Sequence, residues 1–230
     1  MLEEQIWKFI RSDMSPIDFD QWICSNLDFE NILGKELYLD LVSVNFKDFD
    51  EIKIIKQKLK CFIEKSGDSK CSCLKIRDID VINMGSDSDE CMNSFVVLKH
   101  RNPPFWWLYL SKCTVCNTHW LVGQEERQND VFCLKRLNSN EIHEILIENK
   151  WPNCFDTCEY LLRLGKTFCK QARFVDPFNS SLIYTVIDLA TERPFISVLE
   201  ISELINVDKN IATELSRRAI QLENVKISFN

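Results

Sequence analysis

Glycine and proline are scarce in this chain, five and six among 230 residues, and no segment is repetitive or of low complexity. A chain with so few breakers, 45% hydrophobic and 27% charged, reads as globular. No apolar run is long enough to span a bilayer. The opening Met1-Leu2-Glu3-Glu4-Gln5 lacks the basic-then-apolar pattern of a signal peptide, so a cytoplasmic protein with reduced thiols is expected. Histidine is nearly absent: His100, His119 and His143 are the only three, and they are scattered. No Walker loop, GxGxxG, HExxH or GxSxG occurs. These absences lower the expectation of an enzyme. The net charge of −7 lacks the basic excess of general nucleic-acid binders. It suits a cationic partner instead, because an acidic surface speeds encounter with one.

Cysteine is what the chain has in abundance, eleven in all. Four fall in two short-spaced pairs, Cys71-Ser72-Cys73 and Cys113-Thr114-Val115-Cys116. The second pair lies inside WWLYLSKCTVCNTHWLV, residues 106–122, which reads strand, tight turn, strand. A turn of that spacing lets both sulfurs face one ion, and two such pairs make the four-thiolate site of structural zinc. Four buried thiols without metal are the plain alternative. Cys91 or His119 could replace one ligand, and thiolates also suit iron. A closed four-thiolate site holds a fold together, whereas a catalytic metal keeps an open position. Cys24, Cys61, Cys133 and Cys169 stand in apolar contexts and read as small core residues. Cys154 and Cys158 have helical spacing and read as packing residues, with a second metal site as the minor alternative.

The expected architecture is α+β in three parts. Residues 1–66 form a helical domain. Ser15-Pro16 followed by Asp18 marks one helix start. Ile52, Ile55, Leu59 and Ile63 recur at helical spacing on a later one. Ser66-Gly67-Asp68-Ser69 reads as a linker. Residues 67–175 form an antiparallel sheet with the zinc-ribbon-like knuckle, over strands near 74–82, 94–99, 105–111, 120–122 and 131–137. Two short helices follow. One opens at Asn138 with Glu141, the other at Asp156 with Glu159, and Gly165 closes the second. Residues 176–230 read helix, helix, turn, helix, strand, the order of a winged-helix-like unit.

The loop 124–130 carries Glu125, Glu126 and Asp130. Its bland reading is a solvated turn; its functional reading is an acidic contact with Lys or Arg of a partner. In the aromatic strand 105–109 both faces are apolar, so it is either central or faces a partner. Arg217 and Arg218 are the best candidates for DNA contact, and a zinc-containing DNA-binding regulator is the alternative function. The tail from residue 176 nonetheless has eight acids against five bases, whereas phosphate binding calls for the reverse.

Residues 19–43 show an acid-aromatic-x-x-Trp helix start, Asp18-Phe19 to Trp22. Phe29-Glu30, Gly34, Leu37-Tyr38-Leu39, Leu41 and Ser43 follow. This segment resembles the helical opening of bacterial immunity proteins of contact-dependent growth inhibition and related polymorphic toxin systems. The family's Leu-Glu is here Phe29-Glu30. The resemblance covers about residues 5 to 60, and the middle region looks like an uncharacterised bacterial zinc-ribbon-like module. The resemblance implies a cytoplasmic, non-enzymatic protein that binds one cognate toxin domain, for example a nuclease, and blocks it stoichiometrically.

Overall fold

The computed structural model describes residues 2–26, 29–66, 71–101, 107–169 and 180–229. The chain divides into two compact units, residues 1–78 and 79–230.

The first unit is helical: α1 (Leu2–Arg11), α2 (Pro16–Cys24), α3 (Phe29–Leu33), α4 (Lys35–Val42) and α5 (Phe49–Ser66). Ser15 caps α2 by accepting from the Asp18 N–H, with Pro16 as the first helical residue. Gly34 separates α3 from α4 at φ +79, a backbone region open to glycine at little cost. Ile6, Trp7, Phe9, Phe19, Ile23, Phe29, Leu41, Ile55, Leu59 and Ile63 form the core, with the Phe9 and Phe19 rings stacked at 3.9 Å. The spacing of Ile55, Leu59 and Ile63 is the apolar stripe of α5. Cys24 and Cys61 do not join this core: both are exposed, at the end of α2 and on the outer face of α5. Ser66, the first residue of the expected linker, ends α5, and residues 67–69 lie outside the described residues. A single 3-10 turn, Ser72–Lys75, then carries Cys73. It replaces the beginning of the strand expected over 74–82, which starts only at Ile79.

The second unit is built on a five-stranded antiparallel sheet: β1 (Ile79–Asn83), β2 (Phe95–His100), β3 (Leu108–Cys113), β4 (His119–Glu125) and β5 (Val131–Arg136). The order is β1-β5-β4-β3-β2, a meander of β2 to β5 with β1 added beside β5. Central β4 is buried on both faces, so it reads as an unbroken apolar run rather than an alternation. One face gathers Leu108, Leu110, Leu121, Val131 and Cys133 against Phe155, Leu161 and Ile145. Residues 105 and 106 of the aromatic strand lie outside the described residues; Trp107 is buried and donates from Nε1 to the Phe155 carbonyl at 3.1 Å.

Asn138 opens α6 (Ser139–His143) with the capping box its spacing called for. A π-helical turn, Glu144–Glu148, extends it. The next helix, α7 (Cys158–Thr167), departs from expectation at both ends. Thr157, not Asp156, is its cap and accepts from the Tyr160 N–H, while Asp156 pairs with Arg101. Gly165 does not close the helix. It lies inside α7, where a Cβ would stand 3.0 Å from the Asn129 side chain. Gly123 is similar: a Cβ would stand 2.9 Å from Leu161 Cδ2 and 3.3 Å from the Phe155 ring. Gly123→Ala is therefore expected to cost about 1–3 kcal/mol by overpacking. Urea unfolding measures it, and an unchanged midpoint at constant slope would show that α7 yields freely.

The C-terminal helices are α8 (Ser180–Glu192), α9 (Val198–Leu204) and α10 (Lys209–Glu223). Ser197 and Glu200 form a capping box for α9, and Asp208 caps α10. These helices share a core with Cys158 and Leu162 of α7. The two-residue strands β6 (Ile196–Ser197) and β7 (Ile227–Ser228) pair in parallel. The overall class is thus α+β, with helices and an antiparallel five-stranded sheet. The expected boundary near 176 lies outside the described residues. Among the described residues, no helix is long and apolar enough to cross a membrane.

Candidate metal centre

The turn between β3 and β4 is set by local chemistry. Cys113 donates its N–H to the Thr118 carbonyl at 2.9 Å, and Asn117 donates to the Cys113 carbonyl at 3.0 Å. Asn117 takes φ 61, the left-handed region that asparagine tolerates better than most residues. Thr114 fastens the turn sideways, donating its N–H at 2.8 Å and its Oγ1 at 3.1 Å to the Ser94 carbonyl. This geometry points Cys113 inward, fully buried, and leaves Cys116 half-buried.

Cys71 and Cys73 flank the start of the 3-10 turn. The Leu74 N–H bonds the Cys71 carbonyl at 3.3 Å, and the Ile76 N–H bonds the Cys73 carbonyl at 3.2 Å. Both side chains are buried. The same stretch is tied to the end of α1. Arg11, only 6% exposed, donates from Nη1 to the Leu74 carbonyl at 2.7 Å and from Nε to Asp13 at 2.7 Å.

The sulfurs of Cys71, Cys73, Cys113 and Cys116 all lie within 4.8 Å of one another. A tetrahedral ion with Zn–S bonds near 2.3 Å has sulfur-to-sulfur edges of about 3.8 Å. The four thiols are thus close enough to close on one ion with a small contraction. No disulfide joins any of the eleven cysteines. Hydroxyls stand beside two ligands: Ser94 Oγ is 3.4 Å from Cys113 Sγ, and Thr118 Oγ1 is 3.2 Å from Cys116 Sγ. On thiolate formation the Thr118 hydroxyl would donate to sulfur, the outer-shell support that metal sites use to orient ligands and spread charge, whereas the Ser94 hydroxyl donates to the Cys91 carbonyl at 2.7 Å.

Neither sequence alternative joins the four. Cys91 is buried in its own turn, and burial, with Asp89 beside it, pushes its thiol up to about 11. Its sulfur is not among the four that converge. His119 is half-buried on β4. Cys133 is buried in the sheet core, as expected, but Cys169 is exposed. Cys154 is half-buried and Cys158 is buried at the start of α7. Burial raises the pKa of both thiols.

The loop 124–130 is not uniformly solvated. Glu125, 5% exposed, accepts backbone N–H bonds from Arg127 at 3.1 Å, Gln128 at 2.8 Å and Asn129 at 2.7 Å. Arg127 pairs with Asp188 of α8, and Gln128 Nε2 donates to the Ile205 carbonyl at 2.5 Å. The Glu125 carboxylate thus serves the loop's own backbone, and the loop docks on the C-terminal helices. Glu126 and Asp130 are the two acids of this loop that face solvent. Arg217 and Arg218 project from α10 but both pair with Glu214, at 3.9 and 3.1 Å, which lowers the positive potential they could offer a phosphate.

Sequence reasoning missed Arg11, Ser94 and Gln128. Their bonds join residues 63, 19 and 77 positions apart, so no local pattern announces them. No protein family matches this chain, and neither a curated protein nor a solved structure resembles it.

Proposed function

We propose that this chain is a non-enzymatic binding protein of the immunity type, whose Cys71, Cys73, Cys113 and Cys116 hold a structural zinc ion. The observation that carries the metal half is the convergence of four sulfurs within 4.8 Å. All four ligands come from the protein, so the ion keeps no open position for a substrate, and its role is to hold the fold. Thiolate softness favours zinc or iron over calcium and magnesium.

The partner half rests on the resemblance of residues 19–43 to immunity proteins. It draws support from the net charge of −7, which complements a basic toxin cleft. The same segment exposes apolar Ile32, Leu39 and Val42 beside acidic Glu30, Glu36 and Asp40, a mixture suited to an interface. In this reading Glu126 and Asp130 add rim charge, and inhibition is by stoichiometric occlusion.

The test is affinity capture of the tagged protein from its native bacterium, with mass spectrometry and elemental analysis of the same sample. A stoichiometric toxin domain, silenced in an equimolar mixture, is expected together with zinc. A captured toxin that keeps its activity, or no toxin at all, would overturn the partner half. A protein free of zinc and iron would overturn the metal half.

A further inference from the structure

We infer that Arg11 and Asp13 form a positioning pair that sets the Cys71–Cys73 arm in its ligating conformation. This rests on the metal reading above but concerns residues that contribute no ligand atom. The helix α1 ends at Arg11, and Ser12 takes φ 68. The chain reverses there: Asp13 donates its N–H back to the Lys8 carbonyl at 2.8 Å. This reversal brings the Asp13 carboxylate 2.7 Å from Arg11 Nε, with both side chains under a tenth exposed.

The pair then grips the arm at two places. Arg11 Nη1 reaches the Leu74 carbonyl at 2.7 Å, directly after Cys73. Asp13 Oδ1 accepts the Asp78 N–H at 3.1 Å, and the Asp78 carboxylate stands 3.7 Å from Arg11 Nη2. The Leu74 side chain packs on the helical core between these anchors. Residues 74 and 78 are thereby fixed, and the 3-10 turn carrying Cys73 inherits that order.

A buried guanidinium is costly unless it is paired and fully bonded. Here it is spent on a backbone carbonyl beside a ligand, and the consequence is affinity. An arm already in place does not have to lose its conformational freedom when the ion binds. Outer-shell partners of this kind are worth about 10–100-fold in metal affinity.

The experiment is cobalt(II) titration of the full chain, followed by zinc displacement, read by the visible absorption of tetrahedral cobalt thiolate. Wild type should show the four-thiolate spectrum. Arg11→Met should bind cobalt about 10–100-fold more weakly, and Arg11→Lys, which restores a donor, should regain most of the loss. Leu41→Ala, a core change in the same helices, serves as the control for general destabilisation and should leave cobalt affinity unchanged.

If Arg11→Met does not fold by circular dichroism, Asp13→Asn decides. Asp13→Asn keeps an oxygen for the Asp78 N–H but loosens Arg11, and it should also weaken binding. Wild-type affinity in a folded Arg11→Met or in Asp13→Asn, or an equal loss in Leu41→Ala, would overturn the inference. Absence of the thiolate spectrum in wild type would instead overturn the metal reading itself.

Discussion

Removing the metal with a strong chelator is expected to lower the thermal midpoint sharply, and returning zinc is expected to restore it. The expectation follows from linkage. An ion that binds the folded chain stabilises it by about 4 kcal/mol at a thousandfold excess over Kd. For a chain of this length that is a rise of roughly 8–16 °C in Tm. Cys113→Ser should abolish the response. Cys113 is fully buried, and a hydroxyl there replaces a soft anionic ligand by a neutral one. Cys91→Ser should leave the zinc-dependent rise in midpoint unchanged, because the four converging sulfurs do not include Cys91. Differential scanning fluorimetry at buffered free zinc checks all three. A midpoint indifferent to zinc in wild type would reduce the four cysteines to buried thiols.

The second large effect is expected at Glu125, and it should be one of stability. Glu125→Ala strands the N–H groups of Arg127, Gln128 and Asn129, which all bond to this carboxylate. A buried unsatisfied amide costs about 1–3 kcal/mol, so a total of roughly 3 kcal/mol is expected after partial relaxation. The loop also carries Arg127 and Gln128 to the C-terminal helices, so the loss should spread to that docking. Glu126→Ala, on an exposed neighbour, should stay within about 0.5 kcal/mol of wild type.

The pH dependence has a definite sign. Burial raises the Glu125 carboxyl above its ordinary 4.5 and outweighs the three N–H donors, which act the other way. Between 4.5 and the raised value the folded chain holds a proton that the unfolded chain has released. Stability therefore falls as pH rises through that window, and the gap between wild type and Glu125→Ala should narrow with it. Urea titrations at stepped pH measure this. A gap that widens with rising pH would mean that the backbone donors, not burial, control the carboxyl.

How far a feature could be read from the sequence depended on the range of the interaction behind it. Ser15-Pro16 and Asn138 with Glu141 were legible because a cap and the amide it satisfies lie within three residues. The stripe Ile55, Leu59, Ile63 was legible because helical period alone places it on one face. The pairing of Cys113 with Cys116 was legible for the same reason, since the turn that aims them spans only residues 113–118. Cys61 was misplaced because it stands next to apolar Phe62 and Ile63 while lying on the exposed face of its helix. Gly165 was misread as a terminator because sequence shows a missing side chain but not the Asn129 side chain that packs against it inside the helix.

Local sequence is therefore enough for the α+β class, for the caps at Ser15 and Asn138 and for the two thiol pairs. The convergence of the two pairs, the inward turn of Glu125 that holds its own loop and the grip of Arg11 beside Cys73 arise only on folding. The physical reason is the same in each case. Periodicity and capping act over one turn of chain, whereas these contacts close loops of tens of residues or depend on which neighbours exclude water. Their energy is set by burial, and burial belongs to the folded chain.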